Sequence, residues 1–108
     1  MAAYTIYPIA LAGDSKAYVT PASGDTFAND GRTFLHVKNA NAGTCTVTVT
    51  ATKACDVAGT LHTNVVVVAA TTGDEMIGPW PPSVWGGTVT VTTYSVTTSV
   101  SVAAISLP

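Results

Sequence analysis

This sequence has unusually few charged side chains. Of its 108 residues only 9% are Asp, Glu, Lys or Arg, against roughly 25% in ordinary globular domains. The cations Lys16, Arg32, Lys38 and Lys53 are scattered and form no basic cluster. Because binding to nucleic-acid phosphates needs grouped cations, we expect no nucleic-acid partner. So few charges also leave strand edges without protection from pairing, which favours association with a partner or with further copies.

A membrane-spanning run and a sustained helical period are also missing. The longest strongly apolar run, Val65 to Ala70, is far too short to cross a bilayer as a helix. The first residues show no basic stretch followed by an apolar one, so the sequence predicts no secretory signal. We therefore expect a protein made in the cytoplasm that has no membrane partner.

Cysteine is limited to Cys45 and Cys55. If Cys45 begins a strand and Cys55 lies beyond its end, the two are roughly 33 Å apart, too far for a disulfide. Cys45 is in phase with Val47 and Val49, which predicts a buried free thiol that packs as a small apolar group. Zinc binding by these cysteines with His36 and His62 lacks the short paired ligand spacings.

No arrangement of residues points to catalysis or to a cofactor. Asp25, Asn29 and Asp30 could offer oxygens to calcium, but ordinary turn chemistry explains them and their spacing matches no calcium loop. Asp74 and Glu75 are adjacent and so point to opposite faces of a strand, which makes them a poor acid–base pair. We expect no catalytic residues, no metal, no cofactor and no enzymatic activity.

The dominant pattern of the sequence is a strict alternation of apolar and polar residues. From Thr44 to Lys53 it predicts a strand with one buried face and one face covered by threonine. In Thr33 to Lys38, it places Leu35 and Val37 in the core and His36 on the other face. Because turn signals flank that strand, we expect its sequence neighbours beside it in one antiparallel sheet.

Two segments differ from this pattern because both of their faces are apolar. Asn64 to Ala70 predicts a strand covered on both sides, with another subunit as the candidate for the second cover. Residues 1–12 contain Pro8 and predict an edge strand or an extended N-terminal arm that makes its main contacts outside its own subunit. The large apolar residues of this segment, and the candidates for partner binding, are Tyr4, Ile6, Tyr7, Ile9 and Leu11.

The spacing of turns predicts the fold class. About seven or eight short strands separated by turn signals are typical of an all-β protein with an antiparallel β-sandwich, jelly-roll-like in its winding. Residues 13–108 then form a single domain. Trp80 and Trp85 lie in one loop rich in proline and glycine, and they either close one end of the core or form an exposed anchor for a partner.

The chain resembles the small capsid decoration, or cement, proteins of tailed bacteriophages. The resemblance rests on Gly24-Asp25-Thr26-Phe27, on Asn29 to Leu35, on the Val/Thr strands and on Ile77-Gly78-Pro79-Trp80. It implies a non-enzymatic virion structural protein on the capsid exterior that clamps neighbouring major capsid subunits. It also implies self-association, with a homotrimer favoured and a dimer as the alternative.

Two other functions fit the same pattern. One is a head–tail connector or tail component of a phage, which needs a ring-forming interface. The other is a carbohydrate-binding or adhesin module, in which Trp80, Trp85, Tyr4 and Tyr7 would form a stacking platform. Flat, exposed rings beside a groove would favour sugar binding.

Overall fold

The computed structural model describes residues 3–9, 17–54 and 61–107. These residues form eight strands and one helical turn, arranged as two four-stranded sheets. The elements are β1 (Ile6–Pro8), β2 (Asp25–Ala28), β3 (Thr33–Asn39), β4 (Cys45–Ala54), β5 (Leu61–Val68), β6 (Gly73–Ile77), α1 (Pro82–Trp85), β7 (Thr88–Tyr94) and β8 (Val100–Ser106).

The two sheets share one core, so the predicted all-β sandwich is confirmed. The first sheet has the order β1-β8-β3-β6 and the second the order β2-β7-β4-β5. All neighbours are antiparallel except β1, which runs parallel to β8. Buried side chains from both sheets, such as Leu35 and Val102 from the first and Val49 and Val91 from the second, join in one apolar cluster. Burial of these faces is the main force that holds the sheets together.

β4 follows the alternation of its sequence closely. Cys45, Val47 and Val49 are fully buried and Ala51 is nearly so, while the threonines between them face outward. Cys45 is a free thiol, as predicted, and its Sγ lies 3.3 Å from Val96 O as a weak donor. Cys55 lies outside the described residues. A period of two therefore identified the inner face of this strand correctly.

β3 is central in its sheet, but the prediction of its neighbours was wrong. It pairs with β6 and β8, whereas β2 and β4, its neighbours in sequence, both belong to the other sheet. The Asn29 N–H donates to Gly87 O and its Nδ2 to Gly86 O, both at 2.9 Å, which ties the end of β2 to the loop before β7. The turn that follows carries the chain across to the opposite sheet instead of closing a hairpin.

Candidate assembly surface

Three of the four edge strands are protected against pairing with another chain. β1 is three residues long and contains Pro8, which has no N–H to donate. β2 is covered near its start, where the Tyr4 N–H donates to Thr26 O at 2.8 Å. β6 carries two exposed charges, Asp74 and Glu75. Short length, proline, cover and charge are devices by which natural sheets avoid edge-to-edge association.

Within residues 3–9, 17–54 and 61–107, none of these devices protects β5. Its eight residues include no charge and no proline, and among the described residues no strand pairs with the edge that faces away from β4. Its outward side chains Leu61, Val65 and Val67 are 43%, 57% and 58% exposed, whereas Val68 on the inner face is buried. β5 is therefore an open edge with an apolar outer face.

The outer face of the β2-β7-β4-β5 sheet continues this surface without a charge in its described part. The charged residues of the sheet are Asp25, which is buried, and Lys53, which is in phase with the buried side of β4 at its far end. Threonine fills most of the outward positions: Thr26, Thr46, Thr48, Thr50, Thr52, Thr63, Thr88, Thr90, Thr92 and Thr93. We call this surface, together with the outward side chains of β5, the threonine face.

Several hydroxyls of the threonine face already have partners within it. The Thr50 and Thr92 hydroxyls lie 3.1 Å apart, and the Thr92 hydroxyl donates to Thr48 O at 3.1 Å. The Thr52 hydroxyl donates to Thr88 O at 2.8 Å. Since burial of a polar group costs free energy mainly when its hydrogen bonds are lost, covering this face costs less than its content of hydroxyls suggests.

The N-terminal segment lies along the chain's own sheets over residues 3–9. β1 is an edge strand on β8, which is one of the two alternatives that the sequence left open. Tyr4 and Ile6 pack against the core, and Tyr4 reaches the Tyr94 hydroxyl at 2.8 Å. Burial raises the pKa of both phenols above the ordinary value. Tyr7 is half-buried and Ile9 is 43% exposed.

Leu11, the last apolar residue of that segment, lies outside the described residues. Tyr4 and Ile6 pack against the chain's own core. Their predicted contact with a partner would require these side chains to move out of the core. Partner binding by the segment stays a prediction.

Trp80 and Trp85 differ in their exposure. Trp80 is 3% exposed and its ring centroid lies 5.6 Å from that of Phe27, so it closes one end of the core, as one of the sequence-based alternatives predicted. Trp85 is half-buried at the end of α1 and lies between Trp80, at 6.4 Å, and His62, at 6.0 Å between ring centroids. The buried position of Trp80 and the stacking of Tyr4 on Phe27 leave no flat platform of exposed rings from these residues.

A hydrogen-bonded group crosses the outer face of the other sheet, and sequence reasoning did not find it. His36 Nε2 lies 2.5 Å from Asp74 Oδ1, and its Nδ1 lies 2.5 Å from the Tyr18 hydroxyl. A neutral imidazole protonated at Nε2 donates to the carboxylate and accepts from the phenol. Lys38 Nζ lies 4.1 Å from the centroid of the Tyr18 ring. The group links the segment before β2 to β3 and β6.

The carboxylates of Asp25 and Asp30 accept hydrogen bonds within turns. Asp30 Oδ1 accepts hydrogen bonds from the Arg32 N–H at 2.8 Å and the Thr33 hydroxyl at 3.0 Å, which holds the pKa of this carboxyl below its usual value. Asp25 Oδ2 accepts from the Ala22 N–H at 2.8 Å. Within the part of the chain that the structure describes, no three His, Cys, Asp or Glu side chains are grouped as metal ligands.

No helix in the described ranges is long and apolar enough to span a bilayer. Comparison of the chain with protein-family models, curated protein sequences and solved structures gave no match.

Proposed function

We propose that this chain is a non-enzymatic virion structural protein, which decorates the outside of a tailed-bacteriophage capsid and clamps neighbouring major capsid subunits. The observation that carries the proposal is the threonine face with its open β5 edge. A broad, uncharged surface of threonine and valine beside an unprotected strand edge is suited to binding another protein surface. The family resemblance of the sequence then supplies the capsid as the partner.

The strand order supports the same proposal. The orders β1-β8-β3-β6 and β2-β7-β4-β5 agree with a jelly roll, in which eight strands form two sheets through Greek-key connections, except that β1 runs parallel to β8. Jelly rolls are common in viral structural proteins. A fold alone does not assign a function, so the surface remains the main support.

Self-association and the N-terminal arm belong to this proposal too. The sequence favours a homotrimer, with a dimer as the alternative. Because β1 has only three residues in register with β8, exchanging that pairing for strand addition to a neighbouring subunit would cost little main-chain bonding. Residues 1–12 would then act as an arm on the shell.

Co-sedimentation with capsid shells tests the proposal. The shells are assembled from the major capsid protein of the phage that encodes this chain, and bound protein is measured over a concentration series. Thr93→Lys places a charge on the exposed outer side of β7, within the threonine face. We expect it to weaken shell binding at least about tenfold, because a lysine buried without a partner in an uncharged contact is costly.

Met76→Lys is the matched control. Met76 is 64% exposed on β6, in the other sheet, so the same charge is added away from the threonine face. Its shell binding should equal that of the unmodified chain. Absence of binding by the unmodified chain, or equal loss in both variants, contradicts the proposed function.

A further inference from the structure

We infer that β5 pairs antiparallel with β5 of a second copy, so that two β2-β7-β4-β5 sheets join into one continuous sheet. The inference rests on the part of the proposed function in which β5 belongs to a protein-binding surface. It adds the identity of the partner strand and the register in which it binds.

The backbone N–H and C=O groups of alternate β5 residues point to the open edge, where a further strand can bond to them. On the β7 side of β4, the Ser95 N–H donates to Thr46 O at 3.0 Å. Because backbone groups point to alternate sides along an antiparallel strand, Val47 and Val49 of β4 bond towards β5, where their partners are Val66 and Asn64. The residues between these partners, Thr63, Val65 and Val67, therefore direct both N–H and C=O to the open edge.

A second copy of β5 is the partner that fits this edge best. A strand with charged residues would place unpaired charges beside Val65 and Val67, which are apolar. The edges of β1, β2 and β6 in the same chain are short, covered or charged, as described above. A second β5 has the same length, lacks charge and has an open edge of its own. Two copies paired in this way are related by a two-fold axis, so the assembly closes as a dimer.

The longest pairing of the two strands fixes the register. When Leu61 to Val67 pair, Leu61 lies opposite the partner's Val67 and Thr63 opposite the partner's Val65, with the two-fold axis at Asn64. The open backbone groups of both strands then meet in about eight main-chain hydrogen bonds. His62 lies opposite the partner's Val66 on the inner side.

This contact is small. An edge of eight residues buries less than the roughly 800 Å² per partner of a standard stable interface, so the dimer is expected to be weak and to form with rising concentration. A two-fold pair makes a dimer the smallest assembly. The homotrimer favoured in the proposed function would instead be built from a heterologous contact at another surface.

Cysteine cross-linking tests the register directly. All variants carry Cys55→Ser, so that the introduced thiol and the buried Cys45 are the only ones present. Asn64→Cys places its thiol at the two-fold axis, at a pair with about 4.5 Å between Cα atoms, which a disulfide spans. Under mild oxidation we expect a covalent dimer. His62→Cys and Val66→Cys, the matched controls on the same face, should not cross-link alone but should cross-link when mixed.

A charge on the edge gives the second test, read by sedimentation velocity. Val65→Lys, at a 57% exposed position that leaves the core intact, should weaken association at least tenfold. Met76→Lys, at a 64% exposed position on β6 in the other sheet, should leave it unchanged. Failure of Asn64→Cys to cross-link above its controls, or unchanged association of Val65→Lys, overturns the inference. Cross-linking without shell binding would overturn the proposed function and leave the inference standing.

Discussion

Asn39→Asp is expected to lower the free energy of unfolding by about 3 to 5 kcal/mol. Asn39 is 2% exposed, and its Nδ2 donates to Gly43 O at 3.0 Å and Ala69 O at 3.1 Å. Its Oδ1 accepts from the Asn41 N–H at 2.9 Å. Aspartate keeps that last bond but turns the donor into a second acceptor, so a buried negative charge faces carbonyl oxygens.

Asn41→Asp is the matched control, since Asn41 makes similar bonds near the surface. Its Oδ1 accepts from the Gly43 N–H and its Nδ2 donates to Thr98 O, both at 2.9 Å. Exposure to water should limit its loss to about 1 kcal/mol. Urea unfolding of both variants measures the difference. Equal losses would mean that the Asn39 amide does not hold the end of β3 to the end of β5.

Trp80→Ala is the second large effect, with an expected loss of about 3 to 5 kcal/mol. The indole fills the end of the core beside Phe27 and Trp85. Its Nε1 is buried and has no hydrogen-bond partner among the described residues. Trp80→Phe keeps most of the ring and removes this unpaired donor, so its loss should be only about 1 kcal/mol.

The same pair of variants separates a core role of Trp80 from a role as an anchor. A core residue gives a large drop in urea stability for alanine and a small one for phenylalanine. An anchor would leave the stability of Trp80→Ala unchanged and reduce binding to shells instead. A stability loss for Trp80→Phe as large as that for Trp80→Ala would contradict the account of Trp80 as a core residue with an unpaired indole N–H.

The inner faces of the strands could be predicted from the sequence because they depend only on a local period of two. Cys45, Val47 and Val49 on β4 and Leu35 and Val37 on β3 are buried as the alternation required. The strand predicted at Asn64 to Ala70 corresponds to β5, which begins earlier, at Leu61, and ends at Val68. Within the described residues only its inner face is covered, and Val65 and Val67 are exposed. Cover of the outer face by another subunit stays a prediction.

The partition of strands between sheets could not be predicted, because it depends on contacts far apart in sequence. Turn residues before and after β3 looked the same as those of hairpins, and only the pairing of β2 and β4 with β7 shows that the chain crosses between the sheets. His36 was placed on an outer face, yet it is 8% exposed because Tyr18 and Asp74 enclose it. No local pattern connects these three residues.

Hydrogen exchange of the β5 amides, followed by NMR over a range of protein concentrations, tests the central claim most directly. We expect the open edge of β5 to pair with a second copy as the protein concentration rises. The Asn64 and Val66 amides, which bond to β4, should then be protected from exchange at every concentration. The Thr63, Val65 and Val67 amides should exchange rapidly in dilute protein and slow down as the concentration rises. Protection of all five amides in dilute protein, or rapid exchange of Val65 and Val67 at every concentration, would contradict the account.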